Sequence, residues 1–232
     1  MKTRWEKNKK MNKKYVIASV IFSTILMCFV DGVIVPPYFY KSIIKIVLFL
    51  LVPMIYFLLY KEKNIYLKKL FVPKKKDFLL ALLLGAGVFA VIMTAYFLCR
   101  NYIDFSGIQE SLTGGIGVNA DNFVYVAMYI SVVNSFLEEF FFRGFAFLTL
   151  KKFASKRFAY LFSSLMFAFY HVAMMIGWYD CIVIGLCLIG LMIGGCIFNY
   201  FDEQGNSIYL YWLIHMFANL ATNTIGFMLF YL

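Results

Sequence analysis

Ionisable side chains are scarce in this 232-residue chain. Asp, Glu, Lys and Arg together make up 15% of it, against roughly a quarter of an ordinary soluble domain. Histidine occurs twice and proline four times. The five cysteines, Cys28, Cys99, Cys181, Cys187 and Cys196, form no C-x-x-C and sit in or beside apolar runs. That argues against a secreted disulfide scaffold and a cysteine zinc site, and they read as small buried hydrophobes. Hydrophobic residues make up 63% and aromatics 20%. A soluble fold of this size has too little interior to hide so much apolar surface, and a disordered chain has too little of it. A membrane protein remains.

Seven apolar segments are long enough to cross a bilayer, at about 15–35, 41–60, 78–99, 122–150, 158–176, 181–200 and 207–231. The first has the basic flank of a signal peptide but no small-residue cleavage site, so it reads as a retained helix. Pro36-Pro37 breaks the chain after it, and Pro53 is placed to kink the second. The fold class is therefore all-α: a polytopic membrane bundle of about seven helices. Residues 1–14 form a basic tail, 15–121 accessory spans and loops, and 122–232 the part that carries the chemistry.

The net charge of +10 is unevenly spread, with 18 of the 22 basic residues in three stretches at 1–14, 61–76 and 151–157. Each flanks an apolar run, which speaks for topology and attraction to anionic membrane lipid, not for nucleic acid. The stretches alternate between the two ends of the bundle, which predicts a cytoplasmic N-terminus and a C-terminus outside. The loop around 100–121 sets Arg100 against Asp104, Glu110 and Asp121, with a glycine-rich turn at Gly114, Gly115 and Gly117. Asp202 and Glu203 fall in the 201–206 turn on the basic side, but acidic residues count little in this rule.

An ionisable side chain within a span is costly and marks a functional site by default. Such residues are Glu138, Glu139 and Arg143 in the fourth span, His171 in the fifth, and His215, followed by Asn219, in the seventh. Glu139 and Arg143 are i,i+4 and can neutralise each other. Glu138 points about 100° away, which leaves its carboxylate free for another task. His215 and Asn219 are also i,i+4, with Asn223 one turn further. At 1.5 Å per residue, Glu138, His171, His215 and Asn219 lie at one depth to within roughly 8 Å. A carboxylate facing an imidazole can activate water, and a second imidazole with an amide can stabilise an oxyanion. Together they suit amide hydrolysis. A purely structural Glu139–Arg143 pair and interhelical histidines are the plainer reading of the same residues. Zinc on Glu138, His171 and His215 is a further alternative, though no H-E-x-x-H occurs. The phenylalanines at 136, 140, 141, 142, 145 and 147 read as lipid-facing and packing surface. Gly190, Gly194 and Gly195 read as a close helix crossing in the sixth span.

The run Glu138-Glu139-Phe140-Phe141-Phe142-Arg143 resembles the E-E-x-x-x-R motif of the CAAX protease and bacteriocin-processing (CPBP, or Abi) family. Phe167 to His171 resembles its F-x-x-x-H motif, and His215 to Asn219 its H-x-x-x-N/D motif. The resemblance covers about 122–225 and implies an intramembrane endopeptidase of the glutamate type without a required cofactor. It implies that Glu138 and His171 activate water, that His215 and Asn219 serve the oxyanion, and that Glu139 and Arg143 support them. The family's earlier description as metalloproteases keeps the zinc alternative open. The substrate expected is a peptide or small membrane-associated protein, cut on the cytoplasmic side. Abundant Lys, Ile, Phe and Asn point to an AT-rich bacterial genome, hence a bacterial plasma membrane. A non-enzymatic bacteriocin self-immunity or partner-binding protein is the alternative. A proton-coupled carrier lacks the inverted repeats such proteins show.

Overall fold

The computed structural model describes residues 4–59, 70–114, 116–176, 179–204 and 207–231. Part of the basic stretch at 61–76, Lys2, Gly115 and the end of the 201–206 turn lie outside them. Among the described residues the chain is helical, without strands. Seven helices are long and apolar enough to cross a membrane: Met11–Ile34, Tyr38–Leu59, Lys75–Cys99, Phe123–Leu150, Lys156–Met175, Cys181–Glu203 and Ile208–Tyr231. Each lies within a few residues of its expected bounds. A spanning segment must satisfy its own backbone in lipid, so hydropathy alone locates it well. The 100–121 loop, expected as a turn, holds a short helix at Ser106–Gly114.

The fourth span is the centre of the bundle. Within its most apolar window 44% of the residues are buried, against 6% in the sixth span. The third span packs along the seventh, and the fifth packs between the first and sixth. Phe140, Phe141, Phe142, Phe145 and Phe147 are all buried, so the expectation of a lipid-facing surface fails for them. Phe141 stacks on Phe49 of the second span with centroids 4.3 Å apart, and Phe142 meets Phe167 of the fifth edge-on at 5.4 Å. The lipid-facing surface lies elsewhere, on residues such as Leu98, Ile182 and Leu186. The cysteines are free but not buried: four are partly exposed and Cys181 is exposed.

Close approaches between helices use particular small residues. A Cβ on Gly195 would sit 3.0 Å from the Cβ of Ser164 and 3.1 Å from its Cα, so the fifth and sixth spans touch there. Gly190 and Gly194 face nothing within 4 Å, so the expected crossing is carried by Gly195 alone. Asn199, one turn beyond Gly195, donates to Ser164 Oγ at 3.1 Å and extends this seam.

π-helical turns interrupt several spans. In the second, one covers Val47–Leu51 just ahead of Pro53, whose ring removes the bond to the Phe49 carbonyl. In the fourth, π segments at Ile130–Asn134 and Phe140–Phe147 flank a five-residue α stretch, Ser135–Glu139. A π turn misaligns carbonyls that lipid cannot satisfy, and side chains from neighbouring helices take them up. Asn219 donates to Ile130 O, Trp212 to Val132 O and Ser163 to Phe142 O, at 3.0, 3.0 and 2.7 Å. These bonds lock the fourth span in phase with the fifth and seventh around the two glutamates.

The basic and acidic loops meet at one end of the bundle. Glu203 lies 2.7 Å from Lys156 and 3.5 Å from Lys151, and accepts from Tyr160 at 2.8 Å. Asp77, at the start of the third span, accepts from Ser207 N and Oγ at 2.8 and 3.0 Å. The acidic residues of the 201–206 turn thus share an end with the basic 151–157 stretch.

Candidate active site

Two adjacent carboxylates, on the α stretch between the π segments, face different partners. Glu139 is fully buried, and its Oε2 lies 3.2 Å from Arg143 Nε. Its Oε1 lies 2.7 Å from Nδ1 of His215. Arg143 is itself buried, its guanidinium 4.0 Å above the Phe167 ring and 5.1 Å from Phe198. Glu139 is therefore a bridge: it neutralises Arg143 one turn along its own helix and holds an imidazole of the seventh span.

Glu138 is not the free carboxylate expected from the helical wheel. Its Oε1 lies 2.5 Å from Nζ of Lys45 and accepts from Asn134 Nδ2 at 2.8 Å. Lys45 also donates to Asn134 Oδ1, closing a triangle. The sequence reading missed both partners. Asn134 was legible by the i,i+4 rule that pairs Glu139 with Arg143. Lys45 is a charge within the second span, which is itself a site signal, but only packing shows that it faces Glu138. The spans ahead of residue 121 thus contribute to the site.

The other oxygen of Glu138 has no hydrogen-bond partner among the described residues, although it is buried. It lies 3.7 Å from Nε2 of His171 and 3.7 Å from Nε2 of His215. The structure therefore brings three of the expected residues to one point. His171 Nδ1 lies 2.7 Å from the Phe167 carbonyl, which only accepts, so Nδ1 carries its proton. The same reasoning at Glu139 puts a proton on His215 Nδ1. In neutral form both rings then turn an unprotonated Nε2 toward Glu138 Oε2. Three acceptors so placed call for a shared donor, and a spacing beyond direct hydrogen bonding suits a bridging water. The His171 side chain is 16% exposed and that of Glu138 1%.

Asn219 is one turn beyond His215, but one of its amide hydrogens is committed to Ile130 O at 3.0 Å. Asn223, one turn further, donates to Ala127 O and Ser131 Oγ at 3.1 and 3.0 Å. The zinc alternative gains no support from the arrangement. Among the described residues no group of three or more His, Cys, Asp and Glu is arranged to hold a metal ion, and an ammonium already sits on Glu138. Two carboxylates and two cations, Lys45 and Arg143, make two compensated pairs. That is how the fold keeps four such groups out of water, since an unpaired buried charge costs several kcal/mol, roughly.

Residues 120–221 match the family model described as type II CAAX prenyl endopeptidase Rce1-like. This segment is therefore similar to the catalytic domain of the CAAX protease family. That segment contains all six residues singled out within the spans, while Lys45 lies ahead of it. No curated protein and no solved structure matches the chain. With seven apolar helices and this likeness, it is a multi-pass membrane protein.

Proposed function

We propose that the protein is an intramembrane endopeptidase that hydrolyses a peptide bond with water as the nucleophile. The observation that carries this reading is Glu138 Oε2, buried, without a hydrogen-bond partner and facing two imidazole nitrogens at 3.7 Å. The likeness of residues 120–221 to the CAAX prenyl endopeptidase model supports it.

In this reading Glu138 accepts a proton from a water held between its Oε2 and His171 Nε2. The resulting hydroxide attacks the scissile carbonyl, and the proton passes to the leaving amine. Nε2 of His215 can donate to the oxyanion only as imidazolium, a charge that the carboxylate of Glu139 behind it would balance. The second amide hydrogen of Asn219 is the other candidate donor. No step needs a metal ion. A low local dielectric strengthens each of these interactions.

We place the N-terminus in the cytoplasm from the alternation of its basic loops, and the protein in a bacterial plasma membrane from its Lys-, Ile-, Phe- and Asn-rich composition. The substrate class is a peptide or small membrane-associated protein. The family's name makes a prenylated C-terminal peptide the first probe, with its unprenylated counterpart beside it. The deciding experiment is mass spectrometry of peptides from cells carrying the wild-type chain or Glu138→Gln. Peptides that appear only with the wild type support the reading. Indistinguishable peptide profiles, with both proteins present in the membrane, overturn it.

A further inference from the structure

The geometry points to Lys45 as a positioning residue of this site: it keeps Glu138 ionised and turns one carboxylate oxygen toward the histidines. The inference rests on the proteolytic reading above and concerns a residue outside the segment that the family model matches.

Lys45 and Glu138 side chains are 4% and 1% exposed and lie 2.5 Å apart. The ammonium has three hydrogens to place. One goes to Glu138 Oε1 and one to Asn134 Oδ1. The remaining side of the cation lies over the Tyr170 and Phe49 rings, with centroids at 4.6 and 5.5 Å. Its position is thus determined by four groups from three spans, and it has no freedom to leave the carboxylate.

Two consequences follow for Glu138. First, Lys45 and Asn134 both bind Oε1, so Oε2 is the oxygen left to meet water and the imidazoles. A carboxyl without that anchor can rotate and offer either oxygen. Second, the charges of the site are matched in pairs. Arg143 lies on Glu139, and Lys41, one turn from Lys45 on the same helix, lies 2.8 Å from Asp31. Neither is free to replace Lys45. Without it, Glu138 would be an unpaired carboxylate in a water-poor interior, a state that proteins avoid by taking up a proton. A protonated Glu138 cannot accept one from water.

The test uses the full chain in proteoliposomes. Infrared difference spectra of wild type against Glu138→Gln isolate the Glu138 band while the Lys45 side chain stays in the sequence. An ionised carboxylate band at neutral pH is expected, and a protonated carboxylic acid band overturns the proposal. Against the Lys45→Met background, the same difference should show the acid band, and against Lys45→Arg the carboxylate band. On an internally quenched prenylated peptide, Lys45→Met should lower kcat by about 100-fold while KM stays within about two-fold, with substantial recovery in Lys45→Arg. Lys45→Met that cleaves at the wild-type rate with its carboxylate band intact overturns the role. A wild type that cleaves neither this peptide nor any cellular one defeats the proteolytic reading. The infrared measurement would then still decide whether Lys45 holds Glu138 ionised.

Discussion

Glu139 Oε1 lies 2.7 Å from His215 Nδ1, which ties the fourth span to the seventh through the second carboxylate of an adjacent pair. The bond selects the tautomer of His215 and fixes the plane of its ring, so that Nε2 faces Glu138. Neighbouring glutamates thereby take separate positions: Glu138 turns one oxygen toward both Nε2 atoms, and Glu139 orients the His215 ring.

Glu138→Gln keeps the shape of the side chain and removes its ability to accept a proton. Cleavage should fall by about 10²- to 10⁴-fold, the range for loss of a general base. The variant should still elute as a folded protein from size exclusion, with a lower thermal midpoint because Lys45 loses its counter-charge. Retained cleavage would remove Glu138 from the mechanism.

Glu139→Gln leaves His215 in place with a weaker and less directional partner. A drop of about 100-fold in kcat is expected, as for a misplaced catalytic group, with KM nearly unchanged. Removing Arg143 instead leaves Glu139 buried without its cation. Arg143→Met should cost about 3–5 kcal/mol of stability, read as a lower thermal midpoint in detergent. The double variant Glu139→Gln/Arg143→Met should recover part of that loss, because no charge is then left alone.

Gly195 and Gly194 are adjacent in sequence and differ in surroundings. Gly195→Ala drives a methyl to 3.0 Å from Ser164 Cβ and 3.1 Å from its Cα, and should destabilise the fold by about 1–3 kcal/mol. Gly194→Ala meets nothing within 4 Å and should stay within about 0.5 kcal/mol of the wild type. Thermal unfolding of the two variants side by side checks this, and equal midpoints would contradict the helix crossing described here.

Topology can be read by single-cysteine labelling in a background without the five native cysteines. A membrane-impermeant thiol reagent added to intact cells should modify Asp104→Cys, in the acidic loop. Lys152→Cys, in the basic loop, should react only after permeabilisation. The opposite pattern would reverse the proposed orientation.

Most of the candidate site was legible before the fold. The spans, and the depths of Glu138, His171 and His215, depend on hydropathy and on rise per residue, both local properties of the chain. The pairing of Glu139 with Arg143 was legible for the same reason, since both lie one turn apart on one helix. Facing between helices was not. Lys45 sits in the second span, away from the motifs of the later spans, and nothing local says that it points at Glu138. The phenylalanines of the fourth span look lipid-facing until the helix is known to be central.

The amino-acid sequence by itself determined the solvent, the number of spans and which polar groups enter the membrane, because each transmembrane segment satisfies its own backbone. Tertiary structure decided which face of each helix meets which neighbour. The π turns at Ile130–Asn134 and Phe140–Phe147 interrupt the fourth span on both sides of the two glutamates, yet the i,i+4 pairs Asn134–Glu138 and Glu139–Arg143 persist, and what a helical wheel leaves out is the partner on another span. Only packing of the second, fifth and seventh spans around that helix places Lys45 on one oxygen of Glu138 and two imidazoles before the other. Glu138 and Glu139 thus lie in the bundle as matched pairs with Lys45 and Arg143, since in lipid an unmatched charge has no water to turn to.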